Sequence, residues 1–295
     1  LDTLKLPAYH LLDFSRYIPS RSMIASRGCP WKCTFCTEPD NFGSVRLRSV
    51  DSIVEEIELL HSMHAHTSFL FQDDILPLNK RRFSKLLAAF RALSFPIEWK
   101  CFSRVDLMDE SLMAEMAASG CVQIRYGIES GSNETLKRIR KGFEIEDAFR
   151  VTELSTRHFA SVHASFIWGY PFETVAQFEE TLDWVEKFDA AGATVLLFEY
   201  SPLPGSALFR AHPGNRRFSR NDYSTFVVTG HEVVNADGSY VIRKPWEPMY
   251  ELIENHPDIF SGFYHYESAE ILKMRHRLER YYASRRTPAR NTHDC

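Results

Sequence analysis

Three of the six cysteines fall close together, in the segment Arg27-Gly-Cys-Pro-Trp-Lys-Cys-Thr-Phe-Cys36. Cys29, Cys33 and Cys36 are separated by three and then two residues, so one loop can present all three sulfurs. Thiolates at such spacing are ligands of iron–sulfur clusters, and a [4Fe–4S] cluster ordinarily takes four cysteines. With three local ligands, one iron is left for a group that is not protein. The alternative is zinc, whose structural sites take four protein ligands, often as two Cys-x-x-Cys pairs. No second pair exists: Cys101, Cys121 and Cys295 stand singly. Cys101 and Cys121 sit in or beside expected strands, where a cysteine packs as a small apolar side chain. A cluster used only for electron transfer is the other alternative.

These cysteines must be held by a framework, and the pattern along the chain supplies one. Apolar runs recur at Ser22–Ala25, Ser68–Phe71, Ile97–Phe102, Val122–Tyr126, Ser161–Trp168 and Thr194–Tyr200. Between them lie segments of helical periodicity: Val50–His61, Phe83–Leu93, Leu112–Met116, Glu144–Leu154 and Val175–Phe188. Ser49, Asn79, Asp109 and Thr174 stand where helices should start, and Gly120 and Gly192 where they should stop. Six strands alternating with helices predict parallel strands joined by right-handed crossovers. Six units are fewer than the eight of a closed barrel. The expected fold is therefore α/β, a partial (β/α)6 TIM-like barrel over 21–204. A lead-in precedes it at 1–20, and a small C-terminal α+β extension follows at 205–295. In that extension, Asn235–Gly238 with flanking Val233–Val234 and Tyr240–Ile242 predicts a hairpin. Glu267–Tyr282 predicts a terminal helix. In such a barrel the loops after the strands carry the chemistry, and the cysteine loop follows the first strand.

Composition bounds the partners. The 295 residues are 44% hydrophobic and 25% charged, with a net charge of -4, an ordinary globular balance. This gives no reason to expect nucleic acid as a partner. No apolar run approaches the roughly 18 residues that would span a membrane. The basic stretch Arg285–Asn291 reads as a solvated tail. Clustered cysteines without a signal peptide point to metal binding in a reducing, cytoplasmic setting.

The cysteine segment is similar to the hallmark of the radical S-adenosylmethionine (radical SAM) superfamily, Cys-x3-Cys-x-aromatic-Cys, with Phe35 at the aromatic position. The resemblance implies a [4Fe–4S] cluster whose open iron chelates the amino and carboxylate groups of S-adenosylmethionine. It implies reductive cleavage of the sulfonium, a 5′-deoxyadenosyl radical, and an external electron donor such as flavodoxin or ferredoxin. One segment at each later strand end extends the resemblance. Phe71-Gln-Asp-Asp74 resembles the segment that receives the methionyl amino group, through Asp73 and Asp74. Arg104, after the third strand, is implied to grip the cofactor's carboxylate. Gly127-Ile-Glu-Ser-Gly-Ser132, with Lys141-Gly142, resembles a stretch in which Glu129 and Ser130 would contact the ribose. Phe166-Ile-Trp-Gly-Tyr-Pro-Phe-Glu-Thr174 is similar to a turn in which the backbone near Ile167 and Gly169 would contact adenine. There Glu173 reads as structural. Tyr200-Ser-Pro-Leu-Pro-Gly205 resembles the segment closing the far side of the barrel.

The lead-in Leu4–Phe14 looks like the linker that joins a cobalamin-binding domain to the radical domain in cobalamin-dependent members. That implies an upstream domain absent from this chain, and methyl transfer or related C–H functionalisation of a small or lipid-like metabolite. No Asp-x-His-x-x-Gly cobalamin motif occurs in these residues. Methylthiotransferases and radical cyclases share the core. The former would be expected to carry further N-terminal cysteines and a basic C-terminal domain, neither of which is evident. A non-catalytic iron–sulfur or structural metal protein is the reading from a different class. No catalytic acid or base is legible. Tyr223, His231, Trp246, Tyr250 and His265 are aromatic candidates for a pocket, though such residues more often form core.

Overall fold

The computed structural model describes residues 1–14, 20–214, 216–218, 232–234, 240–242, 247–257, 260 and 263–285. Two compact units divide the chain. One comprises Leu1–Phe166 with Glu180–Phe198, and the other Ile167–Glu179 with Glu199–Cys295.

In chain order the first unit contains β1 (Arg21–Met23), β2 (Ser26–Arg27), α1 (Glu38–Phe42), β3 (Arg46–Leu47), α2 (Val50–His64) and β4 (Ser68–Phe71). There follow α3 (Lys80–Ala92), β5 (Glu98–Ser103), α4 (Glu110–Ala118), β6 (Cys121–Glu129), α5 (Asn133–Arg138) and α6 (Ile145–Ser155). β7 (Ser161–Trp168), α7 (Val175–Ala190) and β8 (Thr194–Glu199) complete the alternation, with residues 167–168, 175–179 and 199 of these elements counted in the second unit. The six-stranded sheet runs β1-β4-β5-β6-β7-β8, so sequential strands are neighbours. The first four of these pairings are parallel, in register from Arg21↔Phe69 on β1–β4 to Glu129↔Phe166 on β6–β7. The sheet is open, with β1 and β8 at its two edges. This is the expected partial barrel.

Side chains explain why these segments form. Ser49 accepts from the Ser52 N–H, Asn79 from Arg82 and Asp109 from Leu112, each satisfying an orphan donor at a helix start. Thr174 and Gln177 exchange reciprocal bonds at the start of α7, a capping box. Gly120 turns the chain at φ +94°, and a Cβ there would stand 2.0 Å from the Ile97 carbonyl oxygen. Behind the sheet, Ile53, Ile57 and Leu60 of α2 are buried, as are Phe83, Leu86, Leu87 and Phe90 of α3. Trp99 is fully buried, with Phe71 and Phe90 at its ring and its Nε1–H donating to the Ser119 carbonyl. Burying each such side chain contributes about 1.5–3 kcal/mol.

Two features were not foreseen. β1 stops at Met23, because the backbone N–H of Ala25 donates to the Asp73 carboxylate (2.9 Å) instead of continuing the strand. β2 and β3 then form a short antiparallel ladder, Ser26↔Leu47 and Arg27↔Arg46, which closes the cysteine loop at its base.

The second unit contains α8 (Ala207–Ala211), β9 (Arg216–Phe218), β10 (Glu232–Val234), β11 (Tyr240–Ile242), α9 (Glu247–Asn255), β12 (Tyr264–Tyr266) and α10 (Ala269–Arg285). β10 and β11 pair antiparallel where the hairpin was expected. Its turn, Asn235–Gly238, lies outside the described residues. β9 pairs with β12. Tyr250 and His265 are buried core residues, and His265 Nδ1 lies 3.1 Å from the Tyr200 carbonyl oxygen. Tyr223, His231 and Trp246 lie outside the described residues, as does Arg286–Asn291 of the basic stretch. Among the described residues no helix is long and apolar enough to cross a membrane.

Candidate cofactor and substrate site

The loop from β2 to α1 carries Cys29, Cys33 and Cys36, all half-buried free thiols. It leaves β2 through Gly28 at φ +88°, a conformation that favours glycine. A tight turn brings the Cys36 N–H to the Cys33 carbonyl (3.2 Å), and the Thr34 N–H donates to the Ile139 carbonyl (3.0 Å). The loop is thus fixed at its base by the β2–β3 ladder and at its tip by the segment after α5. Burial pushes the Cys29 thiol up and the Cys36 thiol up to about 11, so these two thiols are protonated at neutral pH. A bound metal would displace those protons.

The three sulfurs border a cavity of about 480 Å³ in the first unit, whose wall also includes Phe35, Glu38, Asp73, Asp74, Arg104, Glu129 and Lys141. Cys101 is fully buried and Cys121 nearly so, and neither borders the cavity. Glu129 ends β6 at φ +78°, an unusual backbone for a side chain of this size, and its carboxylate receives the Lys141 ammonium at 3.2 Å. Gly127 makes room for that pair: a Cβ there would stand 2.2 Å from Glu129 Oε1. Glu38 and Asp74 face each other. Burial raises both carboxyls, with Asp74 adding to the rise of Glu38.

Several expected contacts are placed differently. Asp73 is buried and holds the Ala25 N–H and the Ser26 hydroxyl, so it braces the β1 exit rather than presenting a free acceptor. Arg104 borders the cavity, but its guanidinium fork is bidentate to Asp106 (2.9 Å each) and also reaches the Lys141 carbonyl. It stacks over Trp31 at 4.5 Å. A carboxylate grip by that fork is pre-empted within the chain. Ser130 is fully buried away from the cavity wall; its hydroxyl lies 3.3 Å from Thr181 Oγ1 and accepts from the Ser132 N–H. Ser-Gly here serves the close packing of α7. A Cβ on Gly131 would fall 2.6 Å from Thr181 Cα. Ile167 and Gly169 lie at the end of β7 and just after it, in the second unit. Gly169 has φ +83°, and its N–H donates to Glu173 Oε2 at 2.6 Å. Glu173 also accepts from Tyr170, is buried, and has its carboxyl pushed up to about 7 by burial.

Sequence reasoning assigned no role to Lys141, although Lys141-Gly142 had been noted as part of a matching stretch. It also missed Arg125 and His163, lumenal residues of β6 and β7 that line the cavity floor. The i, i+2 alternation of β7, with positions 161, 163, 165 and 167 half-buried, was the signal available for His163.

The donor set fits a [4Fe–4S] cluster with one open iron. Three thiols border one cavity, and among the described residues no further cysteine borders it. Among the described residues no three His, Cys, Asp or Glu side chains gather tightly enough for a single ion. Sulfurs that each bind a different iron need not.

Comparison with known proteins gives the same direction. A family model described as the Radical SAM superfamily matches residues 23–185. The chain is 30% identical over 214 residues to an uncharacterised methyltransferase of Pyrococcus horikoshii, covering 71% of this chain and 46% of that protein. It is 29% identical over 231 residues to cytidylyl-2-hydroxyethylphosphonate methyltransferase of Streptomyces wedmorensis, covering 71% of this chain and 43% of the relative. The chain thus spans less than half the length of these relatives. In fold it resembles TsrM from Kitasatospora setae, a radical S-adenosylmethionine methyltransferase solved with cobalamin and a [4Fe–4S] cluster. The TM-score is 0.59 and the identity 20%, over 77% of this chain and 44% of that one.

Proposed function

The chain belongs to the radical SAM superfamily, and from that premise we propose that it is the core of a methyltransferase-like radical enzyme acting on a metabolite, with cobalamin assisting the methyl transfer. The observation that carries the reading is the trio of thiols on the rim of one cavity, with Cys101 and Cys121 buried away from it. The methyltransferase names of the relatives support the transfer chemistry, and the lead-in at Leu4–Phe14 supports the cobalamin branch. We assign Cys29, Cys33 and Cys36 as ligands of the cluster. When bound, the cluster and S-adenosylmethionine supply reductive cleavage of the sulfonium and a carbon radical that abstracts hydrogen from substrate.

The chain's own residues orient and shield. Phe35 gives the thiol loop an aromatic wall beside Lys141, whose Nζ lies 6.0 Å from the ring centroid. Asp74, on the cavity wall with Glu38, offers acceptor oxygens suited to the cofactor's ammonium. Glu129, held by Lys141, offers a fixed carboxylate for ribose hydroxyls. Ile167 and Gly169 are assigned to adenine through their backbone. We assign residues 21–204 as the catalytic core and 205–295 as an extension. An external electron donor such as flavodoxin or ferredoxin would supply the electron.

The test is anaerobic reconstitution with iron and sulfide, then electron paramagnetic resonance (EPR) of the reduced protein with and without S-adenosylmethionine. The expected result is a [4Fe–4S] signal that changes on addition. A signal indifferent to S-adenosylmethionine, or stoichiometric zinc in place of iron, would overturn the assignment.

A further inference from the structure

On the lumenal face of the sheet, Phe102, Arg125 and His163 occupy successive strands in register, Phe102↔Arg125 across β5–β6 and Arg125↔His163 across β6–β7. All three line the cavity. Arg125 lies four residues before Glu129 on β6, so at about 3.3 Å per residue it sits roughly 13 Å deeper than the strand end. The Phe102 ring supports the guanidinium, with its centroid 5.5 Å from the Arg125 Cζ. Among the described residues no carboxylate forms an ion pair with Arg125. Two of the cavity's acids are engaged elsewhere: Glu129 with Lys141, and Asp73 with Ala25 and Ser26.

Two donors are left over. The Nε of Arg125 is buried and has no hydrogen-bond partner. Nε2 of His163 lies 2.7 Å from the Gln123 amide nitrogen. That nitrogen can only donate, so Nε2 accepts and the neutral ring carries its hydrogen on Nδ1. Nδ1 is likewise buried without a partner. A buried donor without an acceptor costs free energy, and a half-buried cation without a counter-charge costs more. Adjacent Leu196 and Phe198 of β8 give the same cavity an apolar wall, and Phe198 is 48% exposed.

We propose that Arg125 and His163 form an anion-binding subsite on the barrel floor that receives a phosphonate, phosphate or carboxylate group of the substrate, with its apolar portion against Leu196 and Phe198. The inference deepens the reading given above and takes its substrate cavity from it.

The probe is phenylphosphonate, followed by phosphorus NMR on the reconstituted chain with saturating S-adenosylmethionine present; benzyl alcohol, followed by its proton NMR signals, is the neutral comparison. Wild-type protein binds phenylphosphonate with the cofactor in place. Arg125→Gln and His163→Ala each weaken it by about tenfold or more, and benzyl alcohol is unaffected. Arg125→Lys keeps the charge, guards against a folding artefact, and retains part of the binding. Displacement of phenylphosphonate by S-adenosylmethionine on the wild type would assign the pair to the cofactor's carboxylate and overturn the proposal. So would wild-type affinity in Arg125→Gln and His163→Ala, or absence of binding to the wild type. The EPR response of the same wild-type sample to S-adenosylmethionine tests the parent reading separately. If that response is absent while Arg125-dependent phosphonate binding persists, the anion subsite stands and the radical reading falls.

Discussion

Cysteines in this chain divide by what surrounds them. Cys29, Cys33 and Cys36 stand on a loop pinned at both ends, whereas Cys101 is fully buried, and its hydrogen bond with Cys121, together with burial, raises its thiol well above the ordinary range. Replacing any of the first three by alanine should remove one iron ligand and abolish reductive cleavage of S-adenosylmethionine, measured as 5′-deoxyadenosine formed. Cys101→Ala should cost stability, about 1 kcal/mol or more for the small cavity, and leave cleavage in place. Equal loss in all four folded variants would contradict the ligand assignment. This much was legible, because spacing within one loop is a property of sequence alone. The contacts of Asp73 and Ser130 were not, because each is taken by a partner brought close only by the fold, Ala25 N–H and Thr181; Arg104 is held by one such partner, the Lys141 carbonyl, and by Asp106 two residues on.

At the scale of elements, strands and caps could be read from the chain, since apolar runs, Ser49, Asn79, Asp109 and Thr174 act locally. The turn after β7 shows what local reading leaves out. Its carboxylate, Glu173, is buried and bonded to two backbone N–H groups, yet its pKa rises from an ordinary 4.5 to about 7 because burial outweighs those bonds. The folded state therefore holds a proton that the unfolded state releases near 4.5. Stability falls as pH rises from about 4.5 to 7, by on the order of 3 kcal/mol from this group. Glu173→Gln keeps an acceptor and removes the charge. Against wild type in denaturant unfolding, it should be near equal at pH 4.5 and more stable at pH 8; an unchanged difference across that range would show that the turn tolerates the charge. Packing of α7 onto the end of β6 gives a second test. Gly131→Ala would drive a Cβ into backbone atoms, 2.6 Å from Thr181 Cα and 2.8 Å from the Glu180 carbonyl oxygen. Neither can rotate away, so the variant should lose about 1–3 kcal/mol, read as a lowered Tm. An unchanged Tm would mean that α7 is free to shift.

For the molecule as a whole, the division of labour follows from where the chemistry-bearing residues lie. The thiols and the cavity belong to the first unit, and the family match over 23–185 covers most of it. The C-terminal stretch carries no motif, and its aromatics Tyr250 and His265 are spent on core. Its role is therefore the part least readable from sequence. The cobalamin proposal makes the sharpest demand at this scale. These 295 residues contain no Asp-x-His-x-x-Gly segment, while the cluster loop needs nothing outside the first unit for its bracing. Radical initiation and methyl carriage should then be separable. The reconstituted chain, given dithionite and S-adenosylmethionine, should form 5′-deoxyadenosine at the same rate with or without hydroxocobalamin. Equilibrium dialysis should find no stoichiometric cobalamin on the chain alone. Stoichiometric retention, or cleavage that requires cobalamin, would place the corrinoid site within these residues and remove the need for any partner segment to hold it.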